Sequence, residues 1–399
     1  MPYLGRKGAS APLTSADIPD NVIQQADIQD DAVTGAKLAN DIAISTTGNI
    51  ATTSSGTITS AGLVTAPFLK LTPTATGSAP SGSEGALYYD STKNAVMVYG
   101  TAWSEIKSKA TASGGTITNI TGYKVHTFLT SGTFSVTGGL LTVEYLVIAG
   151  GGSGGGAGGG GGGGFRTGTV TIGSDQAVVV AGTTTGPQNT NAIGNNGSDS
   201  SFGLIVSRGG GGGGNYVGTT PSFPSNIRGR APGQDGGSGG GGGFMTSDGG
   251  KGTGGQGHSG GTSIDTVTSP FTSAGGGGAG GEGSSDNGGQ NSGAGGAGRL
   301  SAINGTSLYW AGGGGGGSQG NSSIAGAGGS GGGGGGSWWS SGTGGAGGTG
   351  GLNNGGAGST EGHGGDAGDN TGGGGGGMGI SVTHGGDGGS GIVIVRYQV

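Results

Sequence analysis

The sequence predicts a mainly β and irregular protein: a short trimeric β-rich stalk, then a glycine-rich domain of packed polyglycine-II helices framed by β-strands. Glycine supplies 116 of the 399 residues, about four times the usual share of roughly 7%. Segregation is the second observation, with 16 glycines in residues 1–149 and 100 in residues 150–399. The third is that strand-like runs frame the glycine block, while no long amphipathic helix is legible in the front half.

Taken in order, residues 1–50 form an N-terminal segment with a ten-residue repeat, ADIPDNVIQQ, ADIQDDAVTG and AKLANDIAIS, ending at Ser45. Ile18, Ile28 and Leu38 recur in phase. So short a repeat cannot bury its apolar face within one chain, and trimeric wrapping is the economical solution. Residues 51–82, rich in Thr, Ser and Gly, read as an extended linker. Residues 83–115 read as a small trimerising β-meander, with Leu87–Tyr89, Ala95–Tyr99 and Trp103–Ile106 separated by turn residues. Residues 116–399 form the glycine-rich tip domain. Its expected strands are Tyr123–Leu129, Gly132–Val136, Leu140–Ala149, Thr169–Ile172, Ala177–Ala181, Phe202–Val206 and the closing Ile392–Tyr397.

A glycine stretch ordinarily reads as a flexible linker. This one spans 250 residues and returns to a strand. The alternative is a bundle of left-handed helices with three residues per turn and about 3.1 Å rise, whose backbone groups point sideways. Packed side by side, such helices satisfy each other's N–H and C=O groups with no oily core, and only glycine permits the close approach. Ordering a residue costs about 1–2 kcal/mol against about 0.5–1.5 kcal/mol per hydrogen bond, so only a saturated bundle stands. Interior helices should be unbroken glycine. Runs of this kind lie at Gly158–Gly164, Gly209–Gly214, Gly239–Gly243, Gly275–Gly278, Gly312–Gly317, Gly331–Gly336 and Gly372–Gly377. Peripheral helices should carry a side chain every third residue, as at Ala294/Ala297, Ala346/Thr349/Leu352, His363/Asp366/Asp369 and His384/Asp387/Ser390.

Net charge is −6 and the 15 lysines and arginines are scattered, which argues against nucleic acid as a partner. There is no cysteine to staple the fold. Neither a signal peptide nor membrane insertion is expected, because Leu140–Ala149, the longest apolar stretch, is broken by Thr142 and Glu144.

Chemical motifs are weak. Matches to GxGxxG are inevitable here and lack a βαβ setting. At Gly249-Gly250-Lys251 the lysine is followed by Gly252 instead of Ser or Thr, which breaks the phosphate-loop pattern. His363, Asp366, His384 and Asp387 spell H-G-G-D twice. Side chains three apart on such a helix are about 9 Å apart along its axis, too far to chelate one ion, so they read as solvent-facing stripes. His126 and His258 stand alone, and Glu282 and Asp286 form no catalytic pair. No catalytic residue, metal site or cofactor is predicted.

Large side chains cluster between the glycine runs: Tyr216, Phe223, Phe244, Met245, Phe271, Tyr309, Trp310, Trp338 and Trp339. The aromatics among them either plug the ends of the bundle or form a recognition surface, since loops on a rigid scaffold commonly carry binding residues. Tyr216, Phe223, Phe244, Phe271, Tyr309, Trp310, Trp338 and Trp339 are the receptor-binding candidates.

MPYLGR with the decapeptides, GALYYDSTKNAVMVYGTAWSEI, YKVHTF, SGTFSV, VEYLVIAGGG, GFRTGTVTIG, SSFG before a glycine run and the terminal GSGIVIVRY together cover most of the chain. In these segments the chain resembles bacteriophage tail fibres or receptor-binding adhesins that end in a glycine-rich, polyglycine-II sandwich domain. The resemblance implies a non-enzymatic virion protein assembled in the host cytoplasm. It implies attachment to a tail or baseplate protein through the N-terminus, a homotrimeric shaft, and a tip that recognises a host surface glycan or outer-membrane protein. The shaft here is unusually short for such a fibre. The rival readings are a glycine-rich structural or ice-binding-like protein, which would want a flat Thr/Ala face, and a polysaccharide-degrading tailspike.

Overall fold

The computed structural model describes residues 71, 73–82, 84–106, 110–189, 191–215, 232–245, 247–264, 269–286, 288–339, 342–359, 363–379 and 384–399. Two compact units are distinguished, Met1–Thr74 and Ala75–Val399. Only residues 71, 73 and 74 of the first are described. The decapeptide repeat and most of the 51–82 linker therefore lie outside the described residues, as do Tyr216 and Phe223.

Early in the second unit, Leu87–Asp90 (β1), Ala95–Tyr99 (β2) and Trp103–Glu105 (β3) form the expected antiparallel meander, with Tyr88 opposite Met97 and Val98 opposite Ser104. Its core is small: Tyr88, Ala95 and Met97, with Trp103 edge-on to Tyr88 at 4.6 Å. Asp90 fixes the first turn, because the Thr76 and Tyr88 hydroxyls and the Thr92 and Lys93 N–H groups donate to its carboxylate at 2.7–3.0 Å. Burial opposes the charged form, but these donors outweigh it and hold the carboxyl below the ordinary Asp range.

The remaining strands are Thr111–Ser113 (β4), Thr116–Ile120 (β5), Tyr123–Phe128 (β6), Gly132–Thr137 (β7), Leu141–Ile148 (β8), Phe165–Ile172 (β9), Gln176–Val179 (β10), Ser200–Phe202 (β11) and Ile205–Ser207 (β12). Short strands Phe271–Thr272 (β13), Arg299–Ser301 (β14), Leu308–Trp310 (β15), Ser318–Gln319 (β16) and Trp338–Trp339 (β17) punctuate the glycine block, and Ile392–Gln398 (β18) closes the chain. One five-stranded sheet has the order β9-β8-β18-β6-β5 and a second the order β12-β11-β10-β7-β4. The closing strand lies antiparallel to both neighbours, Ile392 opposite Ile148 and Val393 opposite Phe128, so the chain leaves the glycine block beside the strand that leads into it. Two expectations shift. Residues 111–113, placed by sequence with the meander, pair with β7. The single run expected at Phe202–Val206 is a hairpin, reversing through Gly203 at φ +55°.

Period-two alternation on strands buried on both faces builds two cores. Phe128, Val143, Val147, Val393 and Val395 pack with Phe134, Val178 and Phe202 between the sheets. Leu146, Ile148, Ile392 and Ile394 face the other way and pack with Phe165, Ala279, Trp310 and Ala311. His126 is fully buried between the sheets, stacked on Tyr397 at 5.7 Å and edge-on to Phe134 at 5.0 Å. Its Nδ1–H donates to the Gly114 carbonyl at 2.7 Å. Burial lowers its pKa; the hydrogen bond to Gly114 opposes that shift and the Lys124 charge adds to it. The unfolded chain, with an imidazole near 6.5, therefore binds the proton more readily than the folded one. Stability is expected to be complete above about 6.5 and to decline as pH falls through the lower, folded-state pKa. Urea unfolding between pH 5 and 7.5 should show that slope, and His126→Gln should flatten it.

The glycine block is held by lateral hydrogen bonds that repeat every third residue. In Gly158–Gly164, the N–H groups of Gly158, Gly161 and Gly164 donate to Gly214, Gly211 and Arg208. Those of Gly159 and Gly162 donate to Ala274 and Gly277, and those of Gly160 and Gly163 to Gly375 and Gly372. Its carbonyls accept from three further segments, through Gly152 and Gly155, Ser238 and Gly241, and Gly314. Gly312–Gly317 is likewise surrounded, bonding to the segments around Gly296, Gly334, Gly160, Gly276, Gly374 and Gly329. All seven unbroken runs are buried. Two of them spend their first residues on reversals that only glycine enters readily, at φ +92° and +89° for Gly331 and Gly332 and +69° for Gly372.

The stripe residues lie towards the edge, with Ala297, Ala346, Thr349, Leu352, His363, Asp366 and Asp369 exposed and Ala294, His384, Asp387 and Ser390 half-buried. Several polar ones do more than face water. Asn196 and Asp199, three apart, accept hydrogen bonds from the Gly212 and Gly209 N–H groups at 2.8 Å, replacing a missing outer neighbour. Asp235 accepts likewise from Lys251 N–H and Asp387 from Gly186 N–H.

Candidate recognition surface

The aromatic insertions separate by strand geometry. Adjacent residues of a strand point to opposite faces, and both aromatic pairs sit on strands. In β15, Trp310 is fully buried while Tyr309 is 40% exposed; in β17, Trp338 is 7% exposed and Trp339 40%. Phe244 is buried, 6.4 Å from the half-buried Phe271. Of the six described candidates, Tyr309 and Trp339 offer substantial ring surface to solvent, whereas Trp310, Trp338 and Phe244 serve packing. A period-two reading of LYW and SWW would have split these pairs from the sequence, but a dipeptide between glycine runs gives too short a window to see it.

The exposed pair lies at opposite ends of the bundle. Trp310 packs on Ile148 and Ile392, where the chain enters and leaves the glycine block. From there Gly312–Gly317 runs away to β16, whose Ser318 and Gln319 lie beside Trp338 and Trp339 in a parallel pairing. On the other side of β16, Phe271 opposes Gln319. The β13-β16-β17 sheet therefore caps the end remote from the sandwich. Phe244, Phe271 and Trp339 gather there; Tyr309 belongs to the near end, on the β14-β15 hairpin opposite Leu300.

At the far end Trp339 borders an open groove with Ser269, Pro270, Gln319, Gly320 and Asn321. Gly320 has φ +119°, and a Cβ there would meet Ser269 Oγ and Pro270 at 2.7–2.9 Å, so glycine permits their close approach at this turn. An indole face beside amide and hydroxyl groups suits ligands with both flat apolar and hydroxyl-bearing surfaces.

Asp286 is buried as a structural acceptor, taking hydrogen bonds from Ser263 Oγ at 2.7 Å and Ile264 N–H at 2.9 Å. Among the described residues no three His, Asp or Glu side chains converge in a way that would hold a metal ion, and no helix is long and apolar enough to cross a membrane. No protein-family model matches the chain, and no curated protein matches it.

Proposed function

We propose that this chain is a bacteriophage tail-fibre adhesin that attaches the virion to a host cell-surface receptor without catalysing a reaction. In this reading the glycine segments are polyglycine-II helices, and their period-three lateral hydrogen bonds, shared among six neighbours, support it. The front segment joins three copies and holds a tail or baseplate protein. The tip reads a surface glycan or an outer-membrane protein. The observation that carries the proposal is the placement of Trp339: a large exposed ring at the end of the bundle remote from the sandwich, on a strand clamped by close-packed backbone. A scaffold of this kind presents side chains with little ordering cost on binding.

Purified full-length protein at micromolar concentration is expected to reduce adsorption of the virion to its host severalfold, and an antibody to it should label tail fibres in electron micrographs. Unchanged adsorption together with unlabelled virions would reject the reading. Sedimentation of the same protein is expected to give three times the chain mass of 36.9 kDa.

A further inference from the structure

The two H-G-G-D tetrapeptides, 21 residues apart in sequence, lie side by side in register. His363 bridges His384 in parallel, Gly364 N–H donates to the His384 carbonyl at 3.1 Å, and three residues on Ala367 N–H donates to Asp387 at 2.9 Å. Identical residues of the two stripes therefore meet across a seam of fixed backbone. The acidic members are engaged there: Asp366 Oδ1 accepts Asp387 N–H at 2.8 Å, and Asp387 Oδ1 accepts Gly186 N–H at 2.7 Å. The imidazoles meet at the surface, centroids 4.8 Å apart at 28°, with their Nδ1 atoms 3.1 Å apart.

We propose that His363 and His384 form a two-histidine site for a divalent transition-metal ion such as Zn²⁺, Ni²⁺ or Cu²⁺. Two nitrogens bound to one ion at about 2.0–2.1 Å, at angles between square and tetrahedral, lie about 2.9–3.4 Å apart; the Nδ1 separation falls inside that range. As it stands, one ring donates its Nδ1–H to the other. A metal ion takes the place of that proton, which passes by way of solvent to Nε2 of the same ring, while each ring turns about its Cβ–Cγ bond until both Nδ1 lone pairs converge. Imidazole donors select borderline transition metals over Mg²⁺ and Ca²⁺. The remaining coordination positions hold water, because Asp366 and Asp387 are a full turn away and already accept from backbone. The axial argument against chelation applies within one helix. Across two neighbouring helices the separation is lateral, and the repeated tetrapeptide sets it.

The proposal does not depend on the adhesin reading. Calorimetric titration of the full chain with Zn²⁺ and separately Ni²⁺, and electron paramagnetic resonance with Cu²⁺, test it. One equivalent per chain is expected, with nitrogen hyperfine structure from two imidazoles. His363→Ala and His384→Ala should each weaken binding about tenfold or more, since each removes one arm of the chelate. The exposed control His258→Ala should leave binding unchanged. Both sites are at the surface, and circular dichroism should confirm that the variants fold. Absence of saturable binding up to millimolar metal overturns the proposal, as does binding retained by the double variant or lost in only one of the two single variants.

Discussion

Gly314→Val is expected to abolish folding of the glycine block, while Ala346→Ser leaves it intact. Gly314 is buried in a segment with six neighbours; its N–H donates to Gly160 at 2.8 Å and its carbonyl accepts from Gly276 at 2.9 Å. A Cβ at this position would overlap the Gly375 carbonyl oxygen and carbon, far inside any real Cβ contact. The obstacle is backbone, so no rotamer relieves it. Moving the two segments apart breaks the bonds that run from Gly374 and Gly377 to Gly312 and Gly315. Each buried amide left unsatisfied costs about 1–3 kcal/mol, and several are lost together. The destabilisation should exceed about 4 kcal/mol, the range reserved for a named structural failure. Ala346 is exposed at the bundle edge, so an added hydroxyl meets water. Amide hydrogen exchange is the measurement. In the parent and in Ala346→Ser the amides of Gly158–Gly164 and Gly312–Gly317 should be protected, and in Gly314→Val they should exchange at coil rates. Equal protection in both variants would refute the interior and edge assignments.

Trp310→Ser and Trp339→Ser should differ as sharply, although both are aromatics between glycine runs. Trp310 is fully buried against Leu146, Ile148, Ile392 and Ile394, on the sandwich sheet where the glycine block begins and ends. Truncating a buried tryptophan costs about 3–5 kcal/mol, and at this joint the loss loosens the attachment of the bundle. Its indole Nε1 is buried without a hydrogen-bond partner, which reduces the cost only slightly, as that desolvation is relieved. Trp339 is 40% exposed at the far end, so its replacement should change stability by less than about 1 kcal/mol. Thermal unfolding should therefore shift by many degrees for Trp310→Ser and little for Trp339→Ser. On the adhesin reading, the folded Trp339→Ser protein should compete for host adsorption at least several-fold less well than the parent. Undiminished competition would move recognition to another face, Tyr309 being the first to test.

The sequence by itself determined which backbone could be packed. Unbroken glycine marks the buried runs because a Cβ at nearly every position along them would meet neighbouring backbone, and that exclusion is local enough to read residue by residue. Period-three stripes marked the edge for the same reason, and β-branched alternation marked the sandwich strands, including β18 beside β8. The tertiary structure alone decided how the runs are joined. Glycine segments are chemically alike, so nothing in their composition states which six surround Gly158–Gly164, or that Trp310 faces the sandwich while Trp339 faces away. Those choices rest on the reversals at Gly331, Gly332 and Gly372 and on strands only two or three residues long, too short to give a periodic signal. The meeting of His363 with His384 has the same origin: sequence gives the spacing along one segment, and only the lateral packing of two segments brings the rings to 4.8 Å.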